Sequence, residues 1–247
     1  MWDDARQMNA LAITLASITT IGLAWATLLW LVRQPSFAFR EVVVSASLER
    51  ANPAEVEAII REELIGTFFT MDLEGSKASL SRASWVRGVA LRRSWPDRLE
   101  ITVDEHVPLA RWGTNALVNT RGEVFEAEWR APLPLFDGPE GRSVDIANRY
   151  QTWSDELRPL ELTLREIRLS PRGGWQIKTM GAQGPLTLEI GRDEPENRLA
   201  RFIAVHGQTL GALARAGTRV DHVDLRYRNG FAARIPAFRE KAARTPS

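Results

Sequence analysis

Cysteine is absent from the 247 residues, which excludes disulfides, thiolate metal sites and cysteine nucleophiles together. That absence does not fix the compartment, because a chain of this length buries enough core to fold without cross-links. Excess charge is missing too: 32 basic against 31 acidic residues leave a formal charge of +1, and the arginines are scattered rather than massed in one run. Such a distribution argues against nucleic acid as the main partner, since phosphate binding needs a concentrated basic footprint. Histidine is scarce, and no two of His106, His206 and His222 have metal-ligand spacing. Neither GxxxxGK nor GxGxxG occurs, so Gly138, Gly141, Gly173, Gly174, Gly181 and Gly184 read as turns. Asp221 and Asp224 sit three apart in a predicted strand, on opposite faces, and make a poor acid–base pair. No catalytic, cofactor or metal site can be named, and the chain reads as non-enzymatic.

Charge is also absent from Asn9 to Val32, a stretch of 24 residues. As a helix it would run roughly 36 Å against a hydrocarbon core of about 30 Å, enough for one tilted membrane span. Trp25 and Trp30 near its end and Arg33 directly after it suit a membrane–water boundary. The apolar run is longer than the 7–15 residues usual in a signal peptide, and no small-x-small cleavage site closes it. The leading segment MWDDARQM has one Arg and two Asp, whereas Arg33, Arg40 and Arg50 follow the helix. Counted by positive charge alone, the large domain would lie in the cytoplasm.

Beyond the anchor, a strand is predicted in FAFREVVVSAS, then a helix capped by Asn52-Pro53 and ended by Gly66, then a second helix over Leu73 to Ala83. Trp85 to Arg93 and Arg98 to Glu105 read as a hairpin around Ser94-Trp95-Pro96-Asp97, the second strand alternating Leu99, Ile101 and Val103 with polar residues. Strand, helix, helix, strand, strand describes a small sheet with two helices on one side. After Pro108 come short strands at 110–112, 116–119 and 124–125, and a loop APLPLFDGPEG. A helix follows over Val144 to Leu157, then strands at 164–169, 175–179 and 186–190. One helix after Pro195 carries Leu199, Phe202, Ile203, His206, Leu210 and Leu213 as a single stripe. The last strands are predicted over Val220 to Tyr227 and Phe231 to Ile235, around a turn at Arg228-Asn229-Gly230. The fold class is α+β. Nine tryptophans are many for this length, and Trp85, Trp112, Trp153 and Trp175 fall in predicted elements where core packing is the default.

The run from Trp85 to Trp112 carries W-V-x-x-V, an R-x-W-P-D turn and an E-x-x-P-x-A-R-W junction. Further on come R-G-E-V-F at 121–125, L-P-L-F-D-G-P-E-G at 133–141, R-L-A-R-F at 198–202 and V-D-L-R-Y-x-x-G at 223–230. In these passages the chain strongly resembles the bacterial division family FtsQ, also called DivIB. The resemblance implies a short cytoplasmic segment at 1–8, a transmembrane helix at 9–32, a POTRA domain at 36–106 and a mixed β-domain at 107–236 with a C-terminal helix and edge strand; the residues after Pro236, ending in FREKAARTPS, read by themselves as a flexible tail at 237–247. It implies the opposite topology to the charge count, with the bulk of the chain periplasmic at the division septum.

It also implies an inner-membrane scaffold and regulator of the divisome, with no catalysis and no cofactor. Its partners would be FtsB- and FtsL-like proteins, with FtsK-, FtsW- and FtsI-like proteins further along, linking early division proteins to septal peptidoglycan synthesis. The family lets its FtsB-like partner add a strand to the end of the β-domain sheet, where unpaired backbone groups invite pairing. The matching positions here are Tyr227, Asn229, Gly230, Phe231 and Ala232, and Arg172 matches a basic position used toward an acidic partner residue. Rival readings are a POTRA-bearing assembly or secretion component, which would need tandem repeats or a barrel, and a membrane-tethered periplasmic enzyme, which would need a convergent acid, base or metal cluster.

Overall fold

The computed structural model describes residues 5–45, 49–63 and 66–236. The predicted tail at 237–247, residues 1–4 of the leading segment, residues 46–48 of the first predicted strand and Leu64 lie outside them. Two compact units divide the chain at Glu105 and His106.

The first unit begins with α1 (Ala5–Val32), whose stretch Met8–Val32 is long and apolar enough to cross a membrane and is not buried against protein. Its hydroxyls do not oppose that reading. Thr14, Ser17, Thr19, Thr20 and Thr27 each donate to the carbonyl four residues back, at 2.8–2.9 Å, so none of these hydroxyls needs water. Pro35 then fixes a 3-10 turn over Pro35–Phe37, where the sequence reading expected the first strand to begin; β1 is Glu41–Val44.

Helix α2 (Pro53–Glu63) starts on Asn52, whose Oδ1 accepts from the Ala54 N–H at 3.0 Å, and α3 (Leu73–Leu80) on Asp72, whose carboxylate accepts from Glu74 and Gly75. β2 (Val86–Ser94) pairs antiparallel with β3 (Arg98–Glu105), and β1 joins β3 in parallel, giving the order β1-β3-β2. Alternation along β3 buries Leu99 and Ile101 completely against Val56 and Leu80 of the helices. The largely shielded Glu105 carboxylate accepts from the N–H groups of Arg50 and Ala51, which ties the entry of α2 to the end of β3.

The second unit is one nine-stranded sheet with helices packed on it. Its elements are β4 (Pro108–Trp112), β5 (Ala116–Asn119), β6 (Val124–Phe125), β7 (Leu135–Asp137), α4 (Ser143–Leu157), β8 (Thr163–Leu169), β9 (Trp175–Gly181), β10 (Gly184–Gly191), α5 (Pro195–His206), α6 (Leu210–Arg215), β11 (His222–Asp224) and β12 (Ala232–Arg234). The strand order is β12-β11-β10-β9-β8-β7-β4-β5-β6. Trp153 of α4 and Leu199 and Phe202 of α5 share one core with Ile167, Ile177 and Leu188 of the sheet. Gly122, with φ of +82°, turns β5 into β6; a Cβ there would stand 2.5 Å from the Val144 backbone of α4.

Three expectations are corrected. The loop APLPLFDGPEG contains β7, parallel to both β4 and β8 in mid-sheet, with Phe136 fully buried. Its prolines flank the strand rather than enter it, and three residues are too few to show a period. The single helix expected after Pro195 is two: α5 stops at His206, and Thr209 turns its hydroxyl and N–H back to the Val205 carbonyl before α6 begins. The strand expected over Val220 to Tyr227 is only His222–Asp224, because Arg226 folds back onto Asp224.

Candidate partner-binding edge

β12 ends the sheet, and no strand lies beyond it among the described residues. Backbone alternation decides which of its groups face outward. Asp221 C=O accepts from Thr187 and Leu225 N–H donates to Glu189, so the Asp221 carbonyl and residues 223 and 225 turn to β10, while the Asp221 N–H donates to the Arg234 carbonyl of β12. His222 and Asp224 therefore turn to β12, where they are opposite Arg234 and Ala232. The residue between these pairs, Ala233, aims its N–H and C=O away from the sheet.

The same register forms a row across the sheet. Phe136, Ile167, Ile177, Leu188 and Val223 are consecutive cross-strand partners, each fully buried, and the next position is the exposed Ala233. Two bidentate clamps stand at the two ends of β11, of which the first reaches β12. Asp221 Oδ1 and Oδ2 accept from Arg234 Nε and Nη2 at 2.8 and 2.9 Å, and Asp224 Oδ1 and Oδ2 accept from Arg226 Nε and Nη2 at 2.9 and 2.7 Å. Each bidentate hydrogen bond draws its carboxyl below the usual range, chiefly through the bond itself.

The connection between β11 and β12 leans on α5. Arg201 Nη1 donates to the Arg228 carbonyl at 2.7 Å, and Phe231 sets its ring edge-on to the buried Phe202 at 6.0 Å. Beside it lies a hollow of about 320 Å³, lined by Arg198, Arg201, Val205, Leu225, Arg228 and Phe231 among others. Arg198 is held by the Ile190 carbonyl at 2.8 Å. Its approach depends on Gly191, where φ is +84° and a Cβ would stand 2.6 Å from Arg198 Nη1.

The six positions named from sequence are gathered at one end of this sheet, with differing surroundings. Tyr227 is 57% exposed, Asn229 and Gly230 are exposed at the turn, and Ala232 is exposed in β12. Phe231 is half-buried against the core, so it is in part a packing residue. Arg172 is exposed in the β8–β9 turn, whose Gly173 sits against Arg192 at the end of β10, the end where β11 also finishes. Sequence reading missed Ala233, whose orientation depends on register, and the basic set Arg198, Arg201 and Arg226. The spacing of Arg198 and Arg201 on one helix was the available signal.

The histidines have structural surroundings. His106 stacks on Phe125 at 4.1 Å and shares a 2.9 Å hydrogen bond with Asn119, His206 stands edge-on to Phe202, and His222 lies in β11. Trp153 and Trp175 meet edge-on in the core under Arg149. No cluster of three metal-ligating side chains exists among the described residues.

Comparison with known proteins decides the family. A model described as "POTRA domain, FtsQ-type" matches residues 37–106, and one described as "Cell division protein FtsQ/DivIB, C-terminal" matches 110–226. The chain is 36% identical to a cell division protein FtsQ of Nitrosospira multiformis, over 95% of this chain and 99% of that one. The chain belongs to the FtsQ family. An FtsQ of Burkholderia pseudomallei is 37% identical over 97% of this chain and 96% of its own, and one of Aliivibrio fischeri 30% identical over 91% and 86%. FtsQ membership assigns the chain a role in cell division, with protein partners in the divisome. The α+β architecture, one candidate membrane helix and a POTRA domain ahead of a mixed-sheet domain, is that expected of FtsQ.

Proposed function

We propose that this chain is a non-catalytic scaffold and regulator of the divisome, anchored in the inner membrane by α1 with its bulk periplasmic, and that it captures FtsB–FtsL-like partners at β12. Through them it links early division proteins, FtsK-like ones among them, to FtsW- and FtsI-like septal peptidoglycan synthesis. The supporting observation is the buried row that runs from Phe136 to Val223 and arrives at an exposed Ala233. A partner strand laid along β12 takes the N–H and C=O of Ala233 and continues that row. Tyr227 adds apolar contact from the turn, and Asn229 and Gly230 leave space for a close approach. The hollow beside Phe231 has room for an apolar side chain, and its arginines, with Arg172, suit acidic residues on the partner.

Co-purification of the full chain with FtsB–FtsL-like proteins tests the reading. Ala233→Pro, Tyr227→Glu and Arg172→Glu should each reduce capture while circular dichroism stays that of the parent. Undiminished capture by all three would end the strand-addition proposal.

A further inference from the structure

Five aromatic rings gather at the end of the first unit that joins α1. Phe69 stands edge-on to Phe37 and to Phe68, each at 5.3 Å; Phe68 in turn meets Trp95 at 5.8 Å and Phe39 at 6.1 Å. Trp95, at the tip of the β2–β3 turn, is 69% exposed, more than any other large apolar side chain described beyond α1, and Phe69 is 49% exposed. Isolated exposed apolar residues are ordinary, whereas a contiguous aromatic patch marks a surface that meets something.

The position of the patch indicates what that is. Thr67 Oγ1 donates to the carbonyl of Val32, the last residue of the apolar span, at 2.8 Å. The Phe68 N–H donates to Phe37 C=O at 2.8 Å, and the Arg40 N–H to Asp97 C=O at 2.9 Å, so the β2–β3 turn is hydrogen-bonded to the segment that leaves α1. The rings thus lie beside the point where the helix would leave hydrocarbon, and Trp25 and Trp30 are exposed on the last turns of α1 that lead to it. Arg33 and Arg40 stand exposed next to them, Arg40 touching Asp97 only at 3.7 Å. Aromatic rings with flanking cations are the composition that settles at headgroup level.

We infer that this patch is a membrane foot: Trp95 and Phe69 insert into the headgroup–acyl boundary of the leaflet from which α1 emerges, with Arg33 and Arg40 on anionic headgroups. The inference rests on α1 spanning the bilayer and is independent of capture at β12. The foot turns an anchored domain into an oriented one. β3 starts at Arg98 beside the foot and ends seven residues later at Glu105, so its far end would stand roughly 23 Å from the foot at a strand rise of about 3.3 Å.

The test uses the full chain in nanodiscs of phosphatidylethanolamine and phosphatidylglycerol, with a benzoylphenylalanine crosslinker placed at Phe69 or, as a control, at the exposed Ala54 near the Glu105 end. Illumination should give a lipid adduct at Phe69 and none at Ala54. Trp95→Ser, an exposed change that leaves the core alone, should lower the Phe69 yield severalfold. Equal adducts at the two positions, a yield indifferent to Trp95→Ser, or a protein adduct in place of lipid in cells would each overturn the foot. Capture of FtsB-like partners should be retained in Trp95→Ser, which separates this failure from failure of the edge proposal.

Discussion

Arg234 grips the Asp221 carboxylate through two hydrogen bonds, joining the last residue of β12 to the residue just before β11. Because the bond draws the Asp221 carboxyl below its ordinary value, its contribution is complete above the usual carboxylate range and is lost as pH falls through the lowered value. Acidification should therefore loosen β12 before the rest of the sheet. Hydrogen exchange of the inward-facing Ala232 and Arg234, corrected for intrinsic rate, should show protection lost at acid pH in the parent and already reduced at neutral pH in Asp221→Asn.

Proline scanning separates the two sides of β12. Ala232 directs its N–H to Asp224 of β11, so Ala232→Pro should remove a ladder bond and destabilise the hairpin by about 1–3 kcal/mol. Ala233→Pro removes only an outward donor. Thermal unfolding should be lowered by the first and nearly unchanged by the second, while partner capture falls in both.

Tyr227 and Phe231 should part company under alanine substitution. Tyr227→Ala, at an exposed site, should leave the midpoint of thermal unfolding near the parent and weaken capture. Phe231→Ala removes a half-buried ring from Phe202 and should cost about 1–3 kcal/mol of stability as well. Denaturant titration beside a pull-down distinguishes them.

His206, desolvated beneath α6, has its pKa pushed below the ordinary histidine value. The unfolded chain then binds a proton that the folded chain refuses. Stability should fall as pH drops through the ordinary histidine range and level off below the lowered value. His206→Gln should flatten that slope in urea titrations at neutral and mildly acid pH.

Legibility of the sequence followed local physics. The alternation of Leu99, Ile101 and Val103, the cap at Asn52-Pro53 and the stripe of α5 are patterns within one element, and the structure places those elements as expected. β7 was illegible because its burial comes from neighbours distant in sequence, β4 and β8. The break after His206 escaped notice because the apolar period continues across it from Phe202 to Leu210. The candidate edge was legible through its motif, but the outward turn of Ala233 was not. That direction depends on pairing between β10, β11 and β12, which no single segment encodes.

β12 is three residues long, with one outward-facing position in its middle. A margin that short is a weak template for another copy of itself, since self-pairing would yield only a few backbone bonds for the entropy of association. Under the strand-addition proposal, selectivity at this edge is thus a matter of what else a visiting segment brings: a chain with only β-propensity would gain little, and one that also filled the hollow and answered the arginines would be retained.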